Sequence, residues 1–185
     1  MKQTLTLIFS YTTLILSSIF IDFLLHTFHF DSVGRYLGIL GTILILLTFL
    51  YSLRKKGMVT EYKPKQMLKL HEVLGWIGGV LIVVHSGIHF NAFLPWVATF
   101  ALLVVVASGH VGKYLLKTVR EQLKSKEKEL KELKETPENI EQLIFWESTM
   151  VSIMSRWRVI HIPFVVVFIL LASAHILTIL FYWNW

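Results

Sequence analysis

The sequence predicts an all-α integral membrane protein with five transmembrane helices. Hydrophobic residues make up 55% of its 185 positions, and the mean hydropathy is +0.62. Its apolar residues fall into five long stretches, and most of its charges lie in the segments between them. A soluble domain would instead spread its apolar residues to build one core.

A helix needs about 20 apolar residues to cross the roughly 30 Å hydrocarbon layer. The predicted spans are Leu5–Leu25, Tyr36–Leu53, Leu70–Phe90, Trp96–Leu116 and Val159–Tyr182. Lys2 precedes the first apolar run as it would in a signal peptide. No small-residue cleavage site follows, so this run is expected to be a retained helix.

The formal net charge is +6. Its basic residues cluster in two connections, one holding Arg54, Lys55, Lys56, Lys63, Lys65 and Lys69, the other running from Lys117 to Arg158. That distribution reads as membrane topology and not as a phosphate-binding face, which argues against a nucleic-acid partner. Positive connections stay inside, so the amino terminus is expected inside and the carboxyl terminus outside a bacterial or archaeal cytoplasmic membrane. Trp96, Trp183 and Trp185 then fall at the outer interface and Trp157 at the inner one. The absence of cysteine excludes disulfides, thiolate metal sites, iron–sulfur ligation and covalently attached haem.

Residues 117–156 form one connection too long for a tight turn. Lys117–Glu135 is rich in the helix formers Glu, Lys and Leu. Thr136 is expected to cap a second helix that starts at Pro137, with Glu138 in its first turn. Ile140, Leu143, Ile144, Met150, Val151 and Met154 recur along it at roughly helical spacing. The expectation is a cytoplasmic helical hairpin, either folded against the membrane surface or serving as a platform for a soluble partner.

Four of eight histidines carry the chemistry. His71 and His85 lie 14 residues apart in span three, and His161 and His175 lie 14 apart in span five. Fourteen residues are nearly four turns, so each pair stays within about 40° of one helix face and is separated by about 21 Å along it. One span lies between the two helices, so they run parallel. His71 then shares the inner level with His161, and His85 shares the outer level with His175. Two facing imidazoles at each level are what axial ligation of a haem iron requires. Zinc is a poorer fit, since each level offers two nitrogens where a tetrahedral site wants four ligands. The expected product is a four-helix-type bundle holding two stacked, non-covalent haems b.

The neighbours suit a flat macrocycle. Gly75, Gly78 and Gly79 lie between the span-three histidines, and Ser108, Gly109 and Gly112 make a second smooth stretch. Plain helix packing also uses such residues. Lys69, Lys113, Arg156 and Arg158 are at the depth of inner-level propionates, which positive-inside topology would equally explain. His89 competes with His85 as outer ligand, and the matched spacing favours His85. His110 is placed near the inner level, either in a contact or proton-path role or in plain helix packing. Asp22, His26 and His29 recur at i, i+4 and i+7 and are expected on one face of span one. They form either an interfacial polar cap or a proton-exchanging quinone site.

The paired spacing resembles the dihaem membrane cytochromes b, as in respiratory quinol–cytochrome c oxidoreductases, and is similar to ferric reductase and NADPH oxidase membrane domains. His71–Glu72–Val73–Leu74–Gly75–Trp76, Ser108–Gly109–His110–Val111–Gly112–Lys113–Tyr114, and Trp157–Arg158 before His161 look like small bacterial cytochrome b subunits. The resemblance covers roughly Leu68–Tyr182. It implies haem b on His71 and His161 and on His85 and His175, and electron transfer as a subunit of a larger respiratory or photosynthetic redox complex. A quinone-reactive or ferric reductase-like oxidoreductase is the alternative, and a non-redox membrane anchor or a proton or metal transporter is the third reading. The chain departs from the family in showing no quinol-site signature of the respiratory enzyme and no flavin or nicotinamide domain. It would need partner subunits, or a soluble electron carrier, to supply and remove electrons.

Overall fold

The computed structural model describes residues 2–88 and 93–182. These form α1 (Lys2–Thr27), α2 (Asp31–Lys55), α3 (Pro64–Ile88), α4 (Phe93–His110), a π-helical turn (Val111–Leu115), α5 (Leu116–Glu132), α6 (Pro137–Leu143), α7 (Phe145–Ser155) and α8 (Trp157–Tyr182). Five helical runs are long and apolar enough to cross a membrane, and they coincide with the five predicted spans. In hydrocarbon every backbone polar group must be satisfied within its own segment, so these stretches have no alternative to helix. Large apolar side chains point outward, with Phe9 73% and Leu170 64% exposed, as a lipid-facing surface requires.

Local chemistry ends each helix. The α1–α2 turn passes through His29 at φ 55°, a left-handed conformation that histidine adopts more readily than most residues. Gly57 at φ 79° closes α2, and Pro64 opens α3, where its missing N–H costs nothing. Pro163 lies inside α8, which runs through it to Tyr182.

Packing places α2 along α3, α3 also against α1 and α4, and α4 against α8. One buried cluster joins Ala98, Ala101 and Leu102 of α4 to Phe168 of α8; a second joins Leu14 of α1 to Val80 and Val84 of α3. The α2–α3 contact is closest at Gly41 and Gly78, where a methyl on Gly78 would lie 3.2 Å from the Gly41 carbonyl oxygen. Backbones approach this closely only where side chains are missing.

The α4 run continues through the π-turn into α5 as 40 helical residues, and α7 packs back along α5 and the π-turn towards α8. The hairpin therefore prolongs the α4–α8 pair instead of folding away from it. Thr136 caps α6 as expected, accepting from the Asn139 N–H at 3.4 Å. The second helix is not continuous, however. It breaks at Ile144, so that Ile140 is buried while Leu143 and Met150 are half exposed. Lys126 bridges this break, bonding both the Leu143 carbonyl and the Glu147 carboxylate.

Candidate functional site

The 14-residue spacing puts the four histidines of α3 and α8 at two levels. The His85 and His175 rings face one another with centres 6.3 Å apart and planes inclined by 56°. At the hairpin level, the His71 ring packs against Tyr51 with centres 5.5 Å apart and the His161 ring against Trp157 with centres 5.0 Å apart. Between these levels α3 and α8 make little close backbone approach, each packing chiefly on another helix.

Each of three rings is braced through Nδ1. His85 Nδ1 donates to the Gly34 carbonyl at 2.9 Å, and His71 Nδ1 donates to the Thr48 carbonyl at 3.1 Å. A carbonyl can only accept, so both rings carry their proton on Nδ1. His161 reaches the same state by another route. The Ser108 hydroxyl donates its hydrogen to the Val105 carbonyl at 2.8 Å, which leaves its oxygen to accept from His161 Nδ1 at 2.8 Å. Donation from the remote ring nitrogen to a carbonyl or hydroxyl is how metal-ligating histidines are oriented.

The bracing helix α2 was not singled out by sequence reasoning. Gly34 and Gly38 are buried on its α3 side, and a methyl on Gly38 would sit 2.6 Å from the His85 ring. The available signal was the small-residue stripe Gly34, Gly38, Gly41 in an apolar helix, a known close-packing pattern.

The other expected residues divide. Gly75 has open space where a side chain would be, and Gly79 has ordinary contacts with Val106 and Leu14. Gly78 is turned to α2, where Gly41 and Ile45 meet it. Arg158 is exposed, its guanidinium 6.0 Å from the Trp157 ring centre. Lys113 pairs with Glu72 at 2.9 Å, beside His71. His110 is committed at both nitrogens, Nδ1 to the Val106 carbonyl at 2.8 Å and Nε2 to the Ser10 hydroxyl at 2.9 Å. This makes it an α1–α4 packing contact. His89, Trp183 and Trp185 lie outside the described residues.

Comparison with protein-family models, curated proteins and solved structures finds no match. The site's chemistry therefore rests on its own geometry. Two imidazoles bound to one metal through nitrogens about 2.0–2.1 Å from it would have ring centres about 6 Å apart, comparable with the His85–His175 separation. Among the described residues, no group of three or more His, Cys, Asp or Glu side chains could hold a metal ion.

The Asp22 trio is corrected by the structure. Because α1 ends at Thr27 and His29 turns left-handed, His29 leaves the helical face it was expected to share. Asp22 and His26 remain, with Asp22 Oδ1 3.6 Å from His26 Nδ1, too long for a hydrogen bond. The Asp22 carboxylate packs against Gly87 of α3, two residues beyond His85, and its Oδ1 is buried without a hydrogen-bond partner.

Proposed function

We propose that this chain is a transmembrane electron carrier that binds two haems b, one on His85 and His175 and one on His71 and His161. The observation that carries this reading is the 6.3 Å separation of the His85 and His175 rings, with the His85 Nδ1 proton already engaged. Haem iron bound there would supply a one-electron couple without proton transfer. The chain's own part is to hold the imidazoles in one tautomer, through Gly34, Thr48 and Ser108, and to line the space with apolar side chains. Phe168, midway in sequence between His161 and His175 and buried against α4, helps keep water from the region between the levels. Gly75 leaves room beside His71 for a planar group. Arg158, Lys69 and Arg156 are candidate partners for its carboxylates. Electron donor and acceptor would be other subunits or a carrier docking at the hairpin.

Reduced-minus-oxidised spectra of the purified protein, with acid–acetone extraction, test this. Two extractable haems b per chain are expected. A ratio near one, or no pigment, would overturn the two-level arrangement, the latter in favour of a non-redox anchor or transporter.

A second reading rests on Asp22. A buried carboxylate oxygen without a hydrogen bond at membrane depth needs a reason, and this one adjoins the helix turn that carries His85. A quinone head group exchanging protons there would supply it. Asp22→Asn should then slow quinone-linked haem reduction while both haems remain; unchanged kinetics would leave a pure electron relay.

A further inference from the structure

The π-turn Val111–Leu115 is where four other helices converge. It closes with the Leu116 N–H bonding the Val111 carbonyl, five residues back, so that α4 carries one residue more than an α-helix of the same length. Such turns are rare and cluster where a helix must present particular side chains. Here the turn packs on α1 and α7, and Lys113 and Gly112 reach α3 and α8, which carry the hairpin-level histidines. Lys113 Nζ meets Glu72 Oε2 at 2.9 Å, one residue beyond His71 on α3. Gly112 seats the Trp157 ring so tightly that a methyl there would lie 2.8 Å from it. Trp157 in turn stands edge-on to His161, one turn along α8, with ring centres 5.0 Å apart and planes inclined by 70°. Just before the turn, Ser108 holds His161 Nδ1.

We propose that the π-turn is the positioning element for the hairpin-level histidine pair, gripping α3 through Lys113–Glu72 and α8 through Gly112–Trp157. The site it positions rests on the dihaem reading, but the grip is a statement about two helices and can be measured without haem. At the other level His85 is held from α2, through the Gly34 carbonyl, and not from the π-turn. Disturbing the turn should therefore move one level and spare the other.

The full-length protein in lipid vesicles is the material. Spin labels at Leu70 and Ile160, half-exposed positions flanking the pair, report the α3–α8 distance. Gly112→Ala should shift that distance and the electron paramagnetic signal of the hairpin-level haem, which is assigned as the one surviving in His85→Ala. Adding Trp157→Phe, which replaces the obstructed indole with a smaller ring, should restore both. Glu72→Gln, which adds no bulk, should shift them in the same sense if Gly112→Ala does not accumulate. An unchanged label distance in Gly112→Ala and Glu72→Gln, or equal movement of both haem signals, overturns the proposal. Absence of haem from the wild type would overturn the dihaem reading alone, since the label distance still decides the grip.

Discussion

Gly38 of α2 lies directly beneath the His85 imidazole: a methyl in place of its hydrogen would sit 2.6 Å from the ring. The ring cannot retreat without giving up its Gly34 hydrogen bond. Gly38→Ala should therefore disrupt the His85–His175 site selectively. Overpacking of this kind costs about 1–3 kcal/mol, enough to displace a ring without unfolding the protein. Potentiometric titration should show one haem component lost or shifted and the other retained. Loss of both together would mean that α2 braces the whole bundle and not this ring.

Ser108 is the one side chain among the three Nδ1 acceptors, and so the one that mutation can remove. Ser108→Ala should weaken haem retention at the hairpin level by about 10–100-fold, the usual effect of losing such a support. Ser108→Thr keeps the hydroxyl and should largely restore it. Haem loss to a scavenging apoprotein measures the effect.

The Lys126–Glu147 pair joins α5 to α7 outside the spans, and its hydrogen bond holds the Glu147 carboxyl below the usual glutamate range. A depressed folded-state value means the contribution is complete above the ordinary value of about 4.3 and is lost as pH falls through the folded one. Spin labels at Gln122 and Ser152 should report a hairpin that loosens over that acid range. Glu147→Gln should already be loosened at neutral pH and lose that acid-range change. Because the pair is exposed, added salt should weaken it too.

The distribution of basic residues predicts a hairpin on the cytoplasmic side. The chain contains no cysteine, so a single one introduced at exposed Lys128 gives an unambiguous reporter. An impermeant maleimide should label it in inverted vesicles and not in right-side-out ones. The opposite pattern would reverse the topology and exchange the two levels.

The spans were legible because hydrocarbon leaves an apolar stretch of that length no choice but helix. The histidine pairs were legible because spacing within a helix fixes both face and depth. What the sequence withheld was which helix lies against which. Span two carries no histidine, yet it is α2 that fixes two of the imidazoles, through the backbone carbonyls of Gly34 and Thr48, which have no side-chain signature. The π-turn was equally hidden, since Val111–Leu115 is ordinary helical sequence apart from Gly112 and only its neighbours reveal the extra residue. His29 matched the helical period but fell beyond the end of α1, where a left-handed residue broke the register.

The bracing of His71 and His85 by α2 also orders events in time. During synthesis α2 emerges before α3, so the carbonyls of Gly34 and Thr48 are in place when His71 and His85 arrive. Half of each site is thereby complete well before α8 is translated, some 75 residues later. Two prepared imidazoles then wait at fixed depths, and the late helix closes both sites at once.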